Sequence, residues 1–219
     1  MITCLFLDTE DKRCFSNSAR SAIQGVCDAA EPEIRALLPT LPGVIEVAAQ
    51  TGKRVLPQTG ELGSATTPVR VTWVVDADRP GGVAATAQSQ LRQTLFHELH
   101  HLARGWVKSG GKRWPRFIDG VVCEGLATAF ERDFGGRTPP WGSYPDNIAT
   151  WVHELLGLPA NALYHHWMFQ HPDGRQWIGY RAGTFIADRA FAGTGRTSAD
   201  LATASTDEVL AMAGFNVPK

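Results

Sequence analysis

The stretch His97-Glu98-Leu99-His100-His101 sits inside a helical pattern that runs from Ala84 to about Arg104, with Gly105 placed to stop it. Residues four apart on a helix stand one above the other, so His97 and His101 share a face and their imidazoles can grip one metal ion. Glu98 projects about 100° away from His97 around the axis. From there its carboxylate can reach a water on that ion without being a ligand, which is where a general base has to be. His100 is read as pointing elsewhere.

A catalytic zinc site takes three protein ligands and keeps one position open. The metzincin arrangement would need a glycine at 104 and a histidine at 107; the chain has Arg104 and Val107, which excludes it. Twenty-three residues after His101 comes Glu124-Gly125-Leu126-Ala127-Thr128-Ala129-Phe130-Glu131. This run resembles the E-G-x-A-x-x-x-E helix of gluzincin peptidases, whose first glutamate is the third zinc ligand. The resemblance implies His97, His101 and Glu124 as ligands of Zn2+. Gly125 and Ala127 are expected to let this helix pack closely on the one carrying His97.

Further along, Trp177-Ile178-Gly179-Tyr180-Arg181-Ala182-Gly183, Pro140-Trp141 and the closing Glu208 to Phe215 stretch resemble a bacterial family of predicted zinc-dependent proteases, formerly a domain of unknown function. The resemblance covers roughly residues 70 to 215 and leaves residues 1 to 68 outside it. It implies a small gluzincin-like fold that hydrolyses peptide bonds, with Glu98 taking a proton from the attacking water and passing it to the leaving amine. Tyr180 is the implied donor to the oxyanion, with Arg181, His153, His165, His166 and His171 as rivals. Thermolysin-type enzymes carry an aspartate four residues after the ligand glutamate, where this chain has Thr128. Asp119 and Glu131 are then the carboxylates available to orient a ligand histidine.

Outward from these motifs, the 219 residues read as a single domain, a sheet-containing part over 1–83 followed by a helical part over 84–219. The expected class is α+β, a small N-terminal mixed sheet packed on the H-E-x-x-H helix and a mainly helical C-terminal half, zincin-like. Strands are expected over 2–8, Val44 to Ala48, near Arg54 to Leu56 and over Val69 to Val75, where β-branched residues cluster between Gly, Pro and Thr. Helical patterns cover Ser18 to Leu38, where Pro32 suggests a division into two, Phe117 to Phe134, Asp146 to Leu156, Asn161 to Phe169 and Gln176 to Phe191. Ser205 and Glu208 form a capping box that opens a last helix through Met212.

A net charge of −1 from 21 basic and 22 acidic residues removes any bulk attraction to nucleic acid or anionic lipid. The longest apolar runs are too short to cross a bilayer, and the N-terminus has no basic region ahead of its apolar residues, so no membrane association and a cytoplasmic location are expected. Cys4, Cys14, Cys27 and Cys123 include no C-x-x-C pair and read mostly as buried reduced thiols, ahead of a zinc site from the first three or a Cys14 to Cys27 disulfide.

The expected partner is a peptide or protein substrate, bound by strand addition to a sheet edge, with Val69 to Val75 as the strand placed for it and Trp73 as core. The alternatives are a zinc-dependent hydrolase of a non-peptide amide or ester, and a zinc-binding regulatory protein without catalysis. Oligomeric state is not legible in the sequence.

Overall fold

The computed structural model describes residues 1–7, 15–112 and 114–215. They are α+β, and by contact they divide into two compact units, Met1–Lys112 and Arg113–Lys219. Cys14 lies outside the described residues. Among the described residues no helix is long and apolar enough to cross a membrane.

The first unit is built on a four-stranded mixed sheet of β1 (Ile2–Phe6), β2 (Ile45–Thr51), β3 (Glu61–Thr67) and β4 (Arg70–Val75), in the order β1-β2-β4-β3. β1, β2 and β4 run parallel, and β3 is antiparallel to β4. Alternation in β4 buries Val71, Trp73 and Val75 and leaves Arg70 outside, the pattern of a strand with one face on a core. Being interior, β4 is paired on both sides and has no edge to offer a substrate, contrary to the expectation for Val69 to Val75.

The outer strand on that side is β3, which the sequence reading passed over in favour of Arg54 to Leu56, a segment that forms no strand. Its composition, Glu61-Leu62-Gly63-Ser64-Ala65-Thr66-Thr67, carries too few branched apolar side chains to announce a strand. Pairing with β4 makes it one.

α1 (Asn17–Leu37) is continuous through Pro32 rather than divided, and it buries Ile23, Cys27, Ala30 and Ile34 along one stripe. A second helical segment begins with α2 (Gly82–Thr86), widens into a π-helical turn over Ala87–Leu91 and continues as α3 (Arg92–Arg104). π-Turns inside helices are often found at functional sites. α3 ends at Gly105, whose φ of 78° is the left-handed conformation that glycine takes without a Cβ penalty. Arg92 ties the start of α3 to α1 through Glu33 at 2.8 Å.

The second unit is helical: α4 (Phe117–Gly135), α5 (Ile148–Leu156), α6 (Tyr164–Met168), α7 (Ile178–Thr194) and α8 (Thr206–Met212). Its core draws Val121, Leu126, Val152, Ile178, Ile186 and Leu210 from four of these helices. α4 opens on Asp119, which accepts the Arg116 backbone N–H at 2.9 Å and its guanidinium at 2.7 Å. α8 opens on the expected capping box, Ser205 Oγ accepting the Glu208 N–H at 3.2 Å and Glu208 Oε2 the Ser205 N–H at 2.7 Å. α4 and α7 pack backbone to backbone: a Cβ placed on Gly183 would stand 2.2 Å from the Val121 carbonyl oxygen.

Candidate metal centre

α3 carries the H-E-x-x-H residues with the register that 3.6 residues per turn requires. His97 and His101 are buried, their rings edge to face with centroids 4.7 Å apart. Glu98 is buried beside them and tied to the sheet, its Oε2 accepting the Ala65 N–H of β3 at 2.7 Å. One turn earlier, Thr94 Oγ1 donates to Glu61 Oε2 at 2.8 Å, and the same carboxylate oxygen accepts the Trp73 indole N–H at 2.9 Å. Glu61, a buried acid that the sequence reading did not single out, thus joins β3, β4 and α3. Trp73 is core, fully buried.

The closeness of β3 to α3 depends on Gly63. A Cβ there would stand 2.4 Å from Thr94 Cγ2 and 2.8 Å from Glu98 Cγ, so any side chain would push Glu98 away. The ladder also fixes where Gly63 points. Residues along an antiparallel strand alternate between facing the partner and facing away. Ala65 faces away from β4, since its N–H goes to Glu98 and its C=O accepts the Lys108 N–H at 3.0 Å. Gly63, two residues earlier and paired with Trp73, therefore directs its own N–H and C=O outward as well.

In the second unit Glu124 is buried on α4, and Tyr164 Oη donates to its Oε1 at 3.3 Å. Tyr164 is the functional candidate the sequence reading missed. It opens the five-residue α6, far from Glu124 in the chain and in no motif. Tyr180, the residue the sequence reading chose, is half-buried on α7 among aromatic rings, with centroids 5.7 Å from Trp177, 6.0 Å from Trp141 and 6.1 Å from Phe169. The Pro140-Trp141 and Gly179-Tyr180 motifs thus meet in one cluster. Trp177 holds φ at 59°, the one positive φ outside glycine among the described residues.

The rivals for the donor role are placed as follows. His171 pairs with Asp173 at 2.8 Å, His165 stacks on Phe169 at 5.4 Å and His153 meets Phe215 edge to face at 6.2 Å. Arg181 donates to the Pro140 carbonyl at 3.5 Å. Of the two carboxylates considered as orienting partners, Asp119 is engaged by Arg116 at the head of α4, and Glu131 is buried on the same helix. Burial alone would raise the Asp119 carboxyl, but the Arg116 guanidinium and N–H outweigh it and hold it below the ordinary carboxylate range.

Among the described residues one group of three ligating side chains could hold a metal ion: His97, His101 and Glu124, all buried, with ligand atoms within 4.8 Å of one another. Two imidazoles and a carboxylate are also the donor chemistry zinc accepts.

The family model described as "Predicted Zn-dependent protease (DUF2268)" matches residues 15–211. The chain belongs to this family. The family match reaches 55 residues further towards the N-terminus than the resemblance read from the motifs, and so takes in α1, β2 and β3. No curated protein and no solved structure matches the chain.

Proposed function

We propose that this protein is a zinc-dependent peptidase in which His97, His101 and Glu124 hold the metal and Glu98 is the general base. The approach of those three buried ligands is the observation that carries the reading. When bound, zinc supplies Lewis acidity, acidifying water and polarising a substrate carbonyl.

The protein's own groups do the rest. Glu98 takes the proton of the attacking water and delivers it to the leaving amine. Its Oε2 is anchored by the Ala65 N–H, which holds the carboxylate in one orientation. Glu124 is steadied by the Tyr164 hydroxyl. We assign the oxyanion donor to Tyr164 ahead of Tyr180, because its hydroxyl stands beside a proposed ligand and can turn its single proton from Glu124 to the oxyanion.

The substrate is read as an extended peptide that adds to the outer edge of β3, where Gly63 offers an outward N–H and C=O beside Glu98. Backbone pairing there would position a carbonyl for attack largely irrespective of side chains.

Metal analysis of the purified chain beside Glu124→Ala and Glu98→Gln, followed by a peptide library, tests the proposal. About one zinc per chain in the wild type and in Glu98→Gln, but much less in Glu124→Ala, is expected. Hydrolysis should fall about 10²-fold or more in Glu98→Gln. Undiminished cleavage by Glu98→Gln, or no zinc in the wild type after supply, would overturn it.

A further inference from the structure

Cys4 on β1 and Cys27 on α1 place their sulfurs 3.6 Å apart, within S–H···S hydrogen-bond distance, and neither belongs to the centre described above. Cys27 is completely buried, whereas Cys4 is half-buried on an outer strand of the sheet. No third His, Cys, Asp or Glu among the described residues joins them as a metal-ligating group. Among the described residues the pair is thus no part of a metal-ligating group, and it differs from the Cys14 to Cys27 pairing considered from sequence.

We propose that Cys4 and Cys27 are a redox-modifiable pair, which peroxide converts to a disulfide that fastens β1 to α1. A disulfide bond is about 2.05 Å long, so the sulfurs have to approach by roughly 1.5 Å, a distance that side-chain rotation can supply. The two thiols are also unequal. Their mutual hydrogen bond lowers the Cys4 thiol, while that bond and burial push Cys27 up, so Cys4 ionises first. The better thiolate is thus the one nearer to solvent.

The chemistry balances with hydrogen peroxide as the oxidant. Cys4 loses its proton, and its thiolate attacks one peroxide oxygen. The O–O bond breaks and hydroxide leaves, taking up a proton to become water; Cys4 is now a sulfenic acid. Cys27 sulfur then attacks Cys4 sulfur, the S–O bond breaks, and the departing hydroxide leaves with the Cys27 proton as a second water. Two thiols and one peroxide give one disulfide and two waters, with two electrons passing from sulfur to peroxide. A dithiol reverses the modification by exchange.

The cross-link would close a segment that contains the first half of α1, the helix packed against α3, without touching any residue assigned to the metal centre. The test uses the full reduced chain, treated with stoichiometric hydrogen peroxide, unfolded, blocked with N-ethylmaleimide and digested without reduction for mass spectrometry. The expected result is a Cys4–Cys27 linked peptide about 2 Da lighter than its two reduced parts together, lost on dithiothreitol treatment, with Cys123 alkylated throughout. In Cys4→Ser the same treatment should leave Cys27 alkylated. The proposal is overturned if Cys27 is found joined to Cys14, if Cys4 appears as sulfinic or sulfonic acid with Cys27 alkylated, or if both remain free thiols.

Discussion

Gly125 of α4 and Gly183 of α7 face each other so closely that a Cβ on Gly125 would stand 2.0 Å from the Gly183 carbonyl carbon. Gly125 follows Glu124 in the E-G-x-A run, and Gly183 ends the G-Y-x-x-G run, so each motif supplies the space the other needs. The sequence reading expects Gly125 to serve packing on the H-E-x-x-H helix; within its own unit it makes room for α7. The other glycine of the pair of motifs, Gly179, has Met168 of α6 at the position of its absent Cβ. α7 therefore holds both α4, which bears Glu124, and α6, which bears Tyr164.

Gly125→Ala should destabilise the protein by about 1–3 kcal/mol, because the obstructing atoms are backbone and cannot rotate aside. Urea unfolding measures that loss. Zinc affinity should fall with it, as α4 shifts and carries Glu124 away; an unchanged affinity would show that the crossing does not set the ligand.

At Gly63 the expected effect is on catalysis. Gly63→Ala puts a methyl group where Thr94 and Glu98 now lie, displacing Glu98, the proposed base, and the strand edge together. Turnover should drop at least tenfold with zinc content intact, since neither His97 nor His101 is touched. Metal analysis and peptide cleavage on the same preparation separate the two quantities.

Tyr164→Phe removes the hydroxyl that reaches Glu124 and keeps the ring that packs against Phe117 and Phe169. A fall of about 10²-fold in kcat is expected for a lost oxyanion donor. Tyr180→Phe should change kcat by less than Tyr164→Phe does, its ring remaining in the Trp141, Phe169 and Trp177 cluster. The reverse ranking would return the role to Tyr180.

Asp119→Asn tests the head of α4 through pH. The folded carboxyl lies below its unfolded value, so the stability it contributes is present above about pH 4 and is lost as pH falls through the folded value. The variant should be about 1–2 kcal/mol less stable near pH 7, with the difference narrowing below about pH 4. Urea unfolding at several pH values measures it; a gap constant down to pH 2 would mean that packing, not charge, holds the cap.

Some parts of the molecule were plain in the residues. The His97, Glu98, His101 register, the stop at Gly105 and the Ser205 and Glu208 cap depend on neighbours within one or two helical turns, and the structure has them all. β4 was legible for a related reason, since alternation along six residues marks a half-buried strand. Pro32 misled because a missing backbone hydrogen bond is a local defect, and the buried stripe of α1 outweighs it.

β3 was not legible, because its strand character comes from pairing with β4 and from Glu98 holding the Ala65 N–H, not from its own Gly and Ser residues. Tyr164 was hidden for the same reason: 40 residues separate it from Glu124, and no periodicity connects them. Nor could spacing show that Cys27 faces Cys4 or that Gly125 meets Gly183. By itself the sequence determined which residues share a helix face, where α3 ends and where α8 begins, because bond geometry repeats along the chain. Only the tertiary structure decided which strand is the edge, which glycine makes room for which backbone and which hydroxyl reaches Glu124, because those depend on segments that meet only when the chain has folded.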